Sequence, residues 1–253
     1  MGQRFLLLHG TPLGPQVWDG VRAHLTAEAV APDLTELTES VAMGRLREEQ
    51  NPGPEFLQTE LAALVLAALP DDEMVVVGHS FGGQVAIEVA LLAPERLARL
   101  VVVCSRHTPF PAFADGARAV RAGRPLDFDA GLRRCFTPWE LAADGPAVRY
   151  ARRQLHTAPR APWAASLDAV ATYDRGSAVG RIAAPASLFA AGRDEVSPPA
   201  VMAELAAALR HATLEVVSAW AHMSPFADPA AFAARLLAAA IEPDRDGQIP
   251  STP

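Results

Sequence analysis

Three short stretches hold the residue types that nucleophilic catalysis needs. Gly78-His79-Ser80-Phe81-Gly82-Gly83 matches the pattern G-x-S-x-G, in which a serine sits on a sharp strand-to-helix turn with small neighbours on either side. A serine hydroxyl is a weak nucleophile near neutral pH. It needs a base to take its proton during attack and a third group to orient that base. His222, in Trp220-Ala221-His222-Met223-Ser224-Pro225, and Asp194, in Gly192-Arg193-Asp194-Glu195, supply those two types, and Glu195 is the nearest competitor for the acid. The chain order Ser, Asp, His is that of a triad assembled on the ends of separate parallel strands. Two backbone N–H groups, those of Thr11 and Phe81, are candidates for an oxyanion hole, whereas Pro12 has no N–H to give. Each feature has a bland reading: a glycine-rich turn with an incidental serine, an aspartate capping a helix that begins near Pro198, a structural histidine. What favours the chemical reading is that all three fall where a strand ends.

The elements that must position them follow from the apolar pattern. Arg4 to Leu8, Ala29 to Asp33, Met74 to Val77, Leu97 to Cys104, Ala186 to Ala191 and Thr213 to Val217 read as short buried strands. Between them, Pro15 to Leu25, Pro54 to Leu69, Gly82 to Leu92 and Pro199 to Leu209 read as helices, and Pro229 to Ile241 as a closing helix. Met43 to Gly53 reads as irregular. This alternation predicts an α/β chain with a doubly wound, mostly parallel sheet and right-handed crossovers. Residues 106–180 interrupt it with amphipathic helical stretches and no strand, so the expected organisation is a core of 1–105 and 181–242, a helical cap of 106–180 and a disordered tail of 243–253. In open sheets of this kind the reacting groups gather at the carboxyl ends of the strands.

Composition narrows the function. The net charge is −7 and every basic side chain is arginine. Such a balance argues against sequence-independent nucleic-acid binding, which needs a clustered basic surface. The longest apolar runs are far shorter than the roughly 20 residues that cross a bilayer. The start of the chain lacks the pattern of a secretory signal, so a soluble, cytoplasmic protein with no membrane partner is expected. Cys104 and Cys135 have no metal-type spacing, and neither a metal nor a cofactor is expected. In the 106–180 segment eleven arginines face seven acidic residues. Arg149, Arg152 and Arg153 on one helical turn could attract a substrate carboxylate, although a solvated face is the favoured reading. Phe110, Phe113, Phe136, Trp139 and Trp163 are expected mainly to pack that segment. The candidates for lining a small-molecule pocket are His107, Phe110, Phe136, Trp139 and Met223. His9 and His79 are read as hydrogen-bonded supports.

Through His9-Gly10, Gly78-His79-Ser80-Phe81-Gly82-Gly83, Gly192-Arg193-Asp194 and Ala221-His222 the chain resembles the α/β-hydrolase superfamily over nearly its whole length. Within it the chain is most similar to small capped members such as enol-lactone hydrolases, proline iminopeptidases and related esterases. The phrase Arg134-Cys135-Phe136-Thr137-Pro138 is similar to the first of these. The resemblance implies hydrolysis of an ester or lactone through an acyl-enzyme. It also implies a shortened sheet edge, because the chain begins almost at the strand before His9. A serine nucleophile sets it apart from the dehalogenase and epoxide hydrolase relatives, which use aspartate. Two other readings stay open: a C–C bond hydrolase, lyase or biosynthetic cyclase on the same triad, and a non-catalytic ligand-binding protein on this scaffold.

Overall fold

A computed structural model describes residues 4–47 and 56–241. Its strands are β1 (Phe5–Leu8), β2 (Ala29–Val30), β3 (Met74–His79), β4 (Leu97–Val103), β5 (Ala186–Ala191) and β6 (Ala212–Val217). They form one sheet in the order β2-β1-β3-β4-β5-β6, and every neighbouring pair is parallel. The helices of the first half are α1 (Asp19–Arg22), α2 (Leu34–Arg47), α3 (Leu57–Ala67) and α4 (Phe81–Leu92). Between β4 and β5 lie α5 (Phe113–Arg121), α6 (Phe128–Cys135), α7 (Pro138–Ala143), α8 (Pro146–Thr157) and α9 (Arg160–Thr172). After β5 come α10 (Pro199–Ala208), α11 (Ser224–Ala227) and α12 (Pro229–Ile241).

β1, β3, β4 and β5 are buried on both faces, which is why they read as continuous apolar runs, whereas the margin strands β2 and β6 are only partly buried. Successive side chains point to opposite faces of a strand, and the core divides accordingly. Leu6, Leu8, Val76, Leu100, Val102 and Leu188 pack on one side with the buried residues of α3, α4 and α10. Phe5, Leu7, Val75, Val77, Val101 and Phe189 pack on the other with Trp18 and with Phe232 and Leu236 of α12. The pairs Gly78↔Val102, Val103↔Phe189 and Ala191↔Val217 align the carboxyl ends of β3 to β6. The loops that follow those strands therefore leave from one edge of the sheet.

Three expectations need correcting. The stretch read as irregular from Met43 belongs, up to Arg47, to α2, and the residues of α2 before it were assigned no element. The helix is obscured by Thr35, Thr38, Ser40 and Gly44, weak helix formers; Thr38 and Ser40 direct their hydroxyls to the carbonyls four residues back. The helix expected over 15–25 is a 3-10 turn, Pro15–Trp18, that runs into the short α1. The second strand is only the pair Ala29–Val30. The beginning of the helix expected from Pro54 and the tail 243–253 lie outside the described residues. Among the described residues no helix is long and apolar enough to cross a membrane.

Candidate active site

Ser80 joins β3 to α4 with φ 54° and ψ −120°, a left-handed backbone that a side-chain-bearing residue adopts only when its surroundings impose it. The imposition is steric. A Cβ on Gly78 would lie 2.3 Å from the carbonyl oxygen of Gly82, and one on Gly82 would lie 2.2 Å from that of Leu8. Only glycine lets β1, β3 and α4 approach this closely. The serine hydroxyl is not used to cap α4, so it stays available. Ser105, whose hydroxyl donates to the Ser80 carbonyl at 2.6 Å, braces the turn from the end of β4. Phe81 is the first residue of α4, where the N–H groups have no partner within the helix. Thr11 sits in the loop after β1 and lines the same cavity as Ser80.

Asp194 and His222 come from the loops after β5 and β6. The imidazole Nδ1–H donates to Asp194 Oδ2 at 2.7 Å, with both side chains buried. The other carboxylate oxygen, Oδ1, accepts from the N–H groups of Val196 at 2.7 Å and Ser197 at 2.9 Å. Asp194 thus also holds the turn after β5, but it does not cap α10, whose N-cap is Pro198 with no side-chain cap hydrogen bond. Burial works to raise the Asp194 pKa. The facing imidazole and the two N–H donors outweigh it and hold the carboxyl below its ordinary value. Glu195 is exposed at the cavity rim, which leaves Asp194 as the buried partner.

His79 Nε2–H donates to the backbone carbonyl of His222 at 2.9 Å, and the two rings lie 4.9 Å apart. Its Nδ1 is buried with no hydrogen-bond partner. Burial first, then the charge of the neighbouring His222, holds the His79 pKa down at about 3. His9 donates from Nδ1 to the Gly10 carbonyl and accepts from the Leu34 N–H, tying the loop after β1 to the start of α2. His79, Cys104 and His222 each bring one ligand atom within 4.8 Å of the others. Burial pushes the Cys104 thiol well up, and both histidines are hydrogen-bonded. We read His79 and Cys104 as packed support beneath His222.

Ser80, His222, Thr11 and Met223 share the wall of a cavity of about 680 Å³ that opens between the strand-end loops and the helices α5, α6, α8 and α9. Four pocket candidates lie elsewhere. Phe136 is buried in the core beneath the cavity. Trp139 is 83% exposed on α7. Phe110 stacks between Phe113 and the guanidinium of Arg106. His107 is buried, and its carbonyl accepts from the Arg175 N–H at 2.8 Å. The wall is instead built by Val120, Leu132, Leu155 and Leu167 with the rings of Phe128 and of Phe113 and Trp163, two residues expected mainly to pack the segment. The helical spacing Phe113, Gly116, Val120 was the available signal.

The three arginines of α8 do not face the cavity. Arg152 pairs with Asp144 at 2.7 Å, Arg149 reaches the Asp144 carbonyl, and Arg153 lies over the Tyr150 ring. Two tyrosines pin the helical segment to the sheet. Tyr150 Oη accepts from the Gly14 N–H and donates to the Gly14 carbonyl. Tyr173 donates to the buried carboxylate of Glu88 on α4 at 2.8 Å, and Arg175 contacts the same carboxylate from Nε and Nη2, at 2.6 and 2.9 Å.

A parallel sheet crossed at its carboxyl edge by a strained serine turn, with a buried Asp–His pair beside it, defines an α/β chain of the hydrolase type. Residues 5–235 match the alpha/beta hydrolase family, and the chain belongs to it. It is similar to a pimeloyl-[acyl-carrier protein] methyl ester esterase of Citrobacter koseri, 36% identical over 51% of this chain and 44% of that protein. Another protein of that description, from Aromatoleum aromaticum, is 28% identical over 83% of this chain and 86% of its own. For most of the curated relatives that it matches, the chain covers less than two thirds of their length. Among solved structures, an enol-lactonase from Burkholderia xenovorans superimposes with a TM-score of 0.82 at 18% identity, covering 96% of this chain and 92% of that one. At that identity the likeness is one of fold.

Proposed function

We propose that the chain is a serine hydrolase that cleaves an ester or lactone of a small organic molecule through an acyl-enzyme on Ser80. In this reading the Ser80 hydroxyl attacks the carbonyl carbon while His222 Nε2 takes its proton. The tetrahedral oxyanion is held by the N–H groups of Phe81 and Thr11, two donors each contributing about 3 kcal/mol to barrier lowering. The C–O bond to the leaving group breaks, and the imidazolium returns the proton to the departing alkoxide. A water molecule then attacks the acyl-enzyme with His222 again as base, releasing the acid and restoring Ser80. Asp194 keeps the imidazole in the tautomer that leaves Nε2 free to accept. Residues 106–180 act as a cap over the site.

The observation that carries this reading is the Ser80 turn: a hydroxyl free of capping duty on a strained backbone, across one cavity from the buried His222–Asp194 pair. The esterase and enol-lactonase names among its relatives support the choice of carboxylic ester or lactone. The test is hydrolysis of p-nitrophenyl acetate, p-nitrophenyl butanoate and simple lactones by wild type and Ser80→Ala, with fluorophosphonate labelling read by intact mass. Turnover and a single adduct, both lost in the variant, support the reading. Folded wild type that neither turns over nor labels would overturn it in favour of a ligand-binding role.

A further inference from the structure

We propose that Gly116 and Gly131 set the length of the apolar chain that the cavity accepts, and that the substrate is an ester or lactone bearing a neutral, medium-length aliphatic chain. This deepens the Ser80 reading and rests on it. Glycine inside a helix is less favourable than alanine, so a glycine that lines a cavity from a helix calls for a reason. In α4 the reason at Gly82 is backbone contact, and glycine elsewhere can serve a positive φ, as at Gly123 just beyond α5.

Neither reason applies to the fourth residue of α5 or of α6. A Cβ on Gly116 would meet Leu167 Cδ1 at 3.7 Å, and one on Gly131 would meet Leu155 Cδ1 at 3.9 Å. Both are ordinary van der Waals contacts, and neither glycine has a left-handed backbone. The fold would accept alanine at either place. What the two positions share is the cavity, because both line it, one from α5 and one from α6. Leu167 and Leu155, the side chains each would touch, line it too. A side chain longer than a methyl at either position must project into space that the cavity now holds open.

The chemistry of the wall names the occupant. Beyond Ser80 the wall is apolar, with Val120, Leu126 and Leu132 joining the two leucines and the rings of Phe113, Phe128 and Trp163 beside them. The charged groups that border the cavity, Asp127, Arg133, Arg134 and Glu195, are solvent-exposed, and Arg133 lies 3.8 Å from Asp127. Among the described residues no buried acid or arginine lines the wall to receive a carboxylate at the far end of the chain. A neutral hydrocarbon chain fits such a lining, each buried methylene being worth about fourfold in transition-state affinity.

The test compares kcat/KM for p-nitrophenyl acetate, butanoate and octanoate. Wild type should gain about fourfold per methylene up to octanoate. Gly116→Leu and Gly131→Leu should lower the octanoate-to-acetate ratio tenfold or more. Gly44→Leu, on an exposed part of α2 with open space around it, should leave that ratio as it is. Gly116→Ala and Gly131→Ala guard against misfolding of the leucine variants: they should raise Tm and lower the ratio by about two- to threefold. A flat chain-length profile in wild type, or ratios unmoved by the cavity substitutions, would overturn the length gauge while leaving Ser80 as nucleophile. Absence of both turnover and fluorophosphonate adduct would overturn both.

Discussion

The loops at the carboxyl edge of the sheet and the helices of residues 106–180 face each other across one cavity, and they hold their residues by different means. At the edge, backbone geometry dictates identity. Gly78 and Gly82 cannot carry a Cβ, Ser80 is held at positive φ, and Asp194 has both oxygens committed at once. Across the cavity, Gly116 and Gly131 have room to spare, and the helices are tied to the sheet through Tyr150 and the Tyr173–Arg175–Glu88 cluster. One side leaves almost no freedom to substitute. The other can change its lining while the proposed reacting groups stay in place.

Substitutions at graded distance from the reacting atoms sharpen that contrast. Asp194→Asn keeps an oxygen to accept from Val196 and Ser197 but removes the preference for the correct His222 tautomer. It should reduce kcat by about 10³–10⁴-fold with little change in KM; a loss under tenfold would mean that the edge is less constrained than its geometry implies. Glu88→Ala removes the carboxylate that Tyr173 and Arg175 share, leaving Arg175 with Thr59 and the Phe56 ring. The expected cost is about 3–5 kcal/mol of stability by urea titration, and a cost below 1 kcal/mol would show that the helical segment is held by other contacts.

His79 gives a pH test. Its folded pKa of about 3 lies below the ordinary value of 6.5, so between those values the unfolded chain binds a proton that the folded chain does not. Stability should therefore be full above about pH 6.5 and decline by a few kcal/mol as the pH falls toward 3. His79→Gln should flatten that part of the profile, measured as the urea midpoint against pH. The smallest effect is expected at Arg152→Ala. Its pair with Asp144 is largely exposed, and its loss should change stability by less than about 0.5 kcal/mol and leave kcat/KM for neutral esters unaltered.

The same contrast explains what was legible in the sequence. β5 and α12 fall on the residues that the apolar pattern marks, and the turn around Ser80 is readable because its glycines are a local necessity. The Asp194–His222 contact joins two loops 28 residues apart, yet chain order and strand ends pointed to both members. The cavity wall was not legible. Phe136 and Trp139 are a single turn of chain apart, one in the core and the other in solvent, and only the docking of α6 and α7 decides which is which. Helix α2 was missed for a related reason: its weak helix formers are outweighed by packing against α9 and α3.

The parallel order of the sheet has a kinetic consequence. Ser80 stands at the end of β3, in the middle of the sheet, but its proposed base stands after β6, the strand at the far margin, and is reached by His79 through the His222 carbonyl. Residue 222 is made long after Ser80, and until it is in place the hydroxyl lacks its proposed base, so on this mechanism an unfinished chain is chemically silent. In refolding, recovery of esterase activity should accordingly trail recovery of helical circular dichroism, and the lag would time the docking of the last strand.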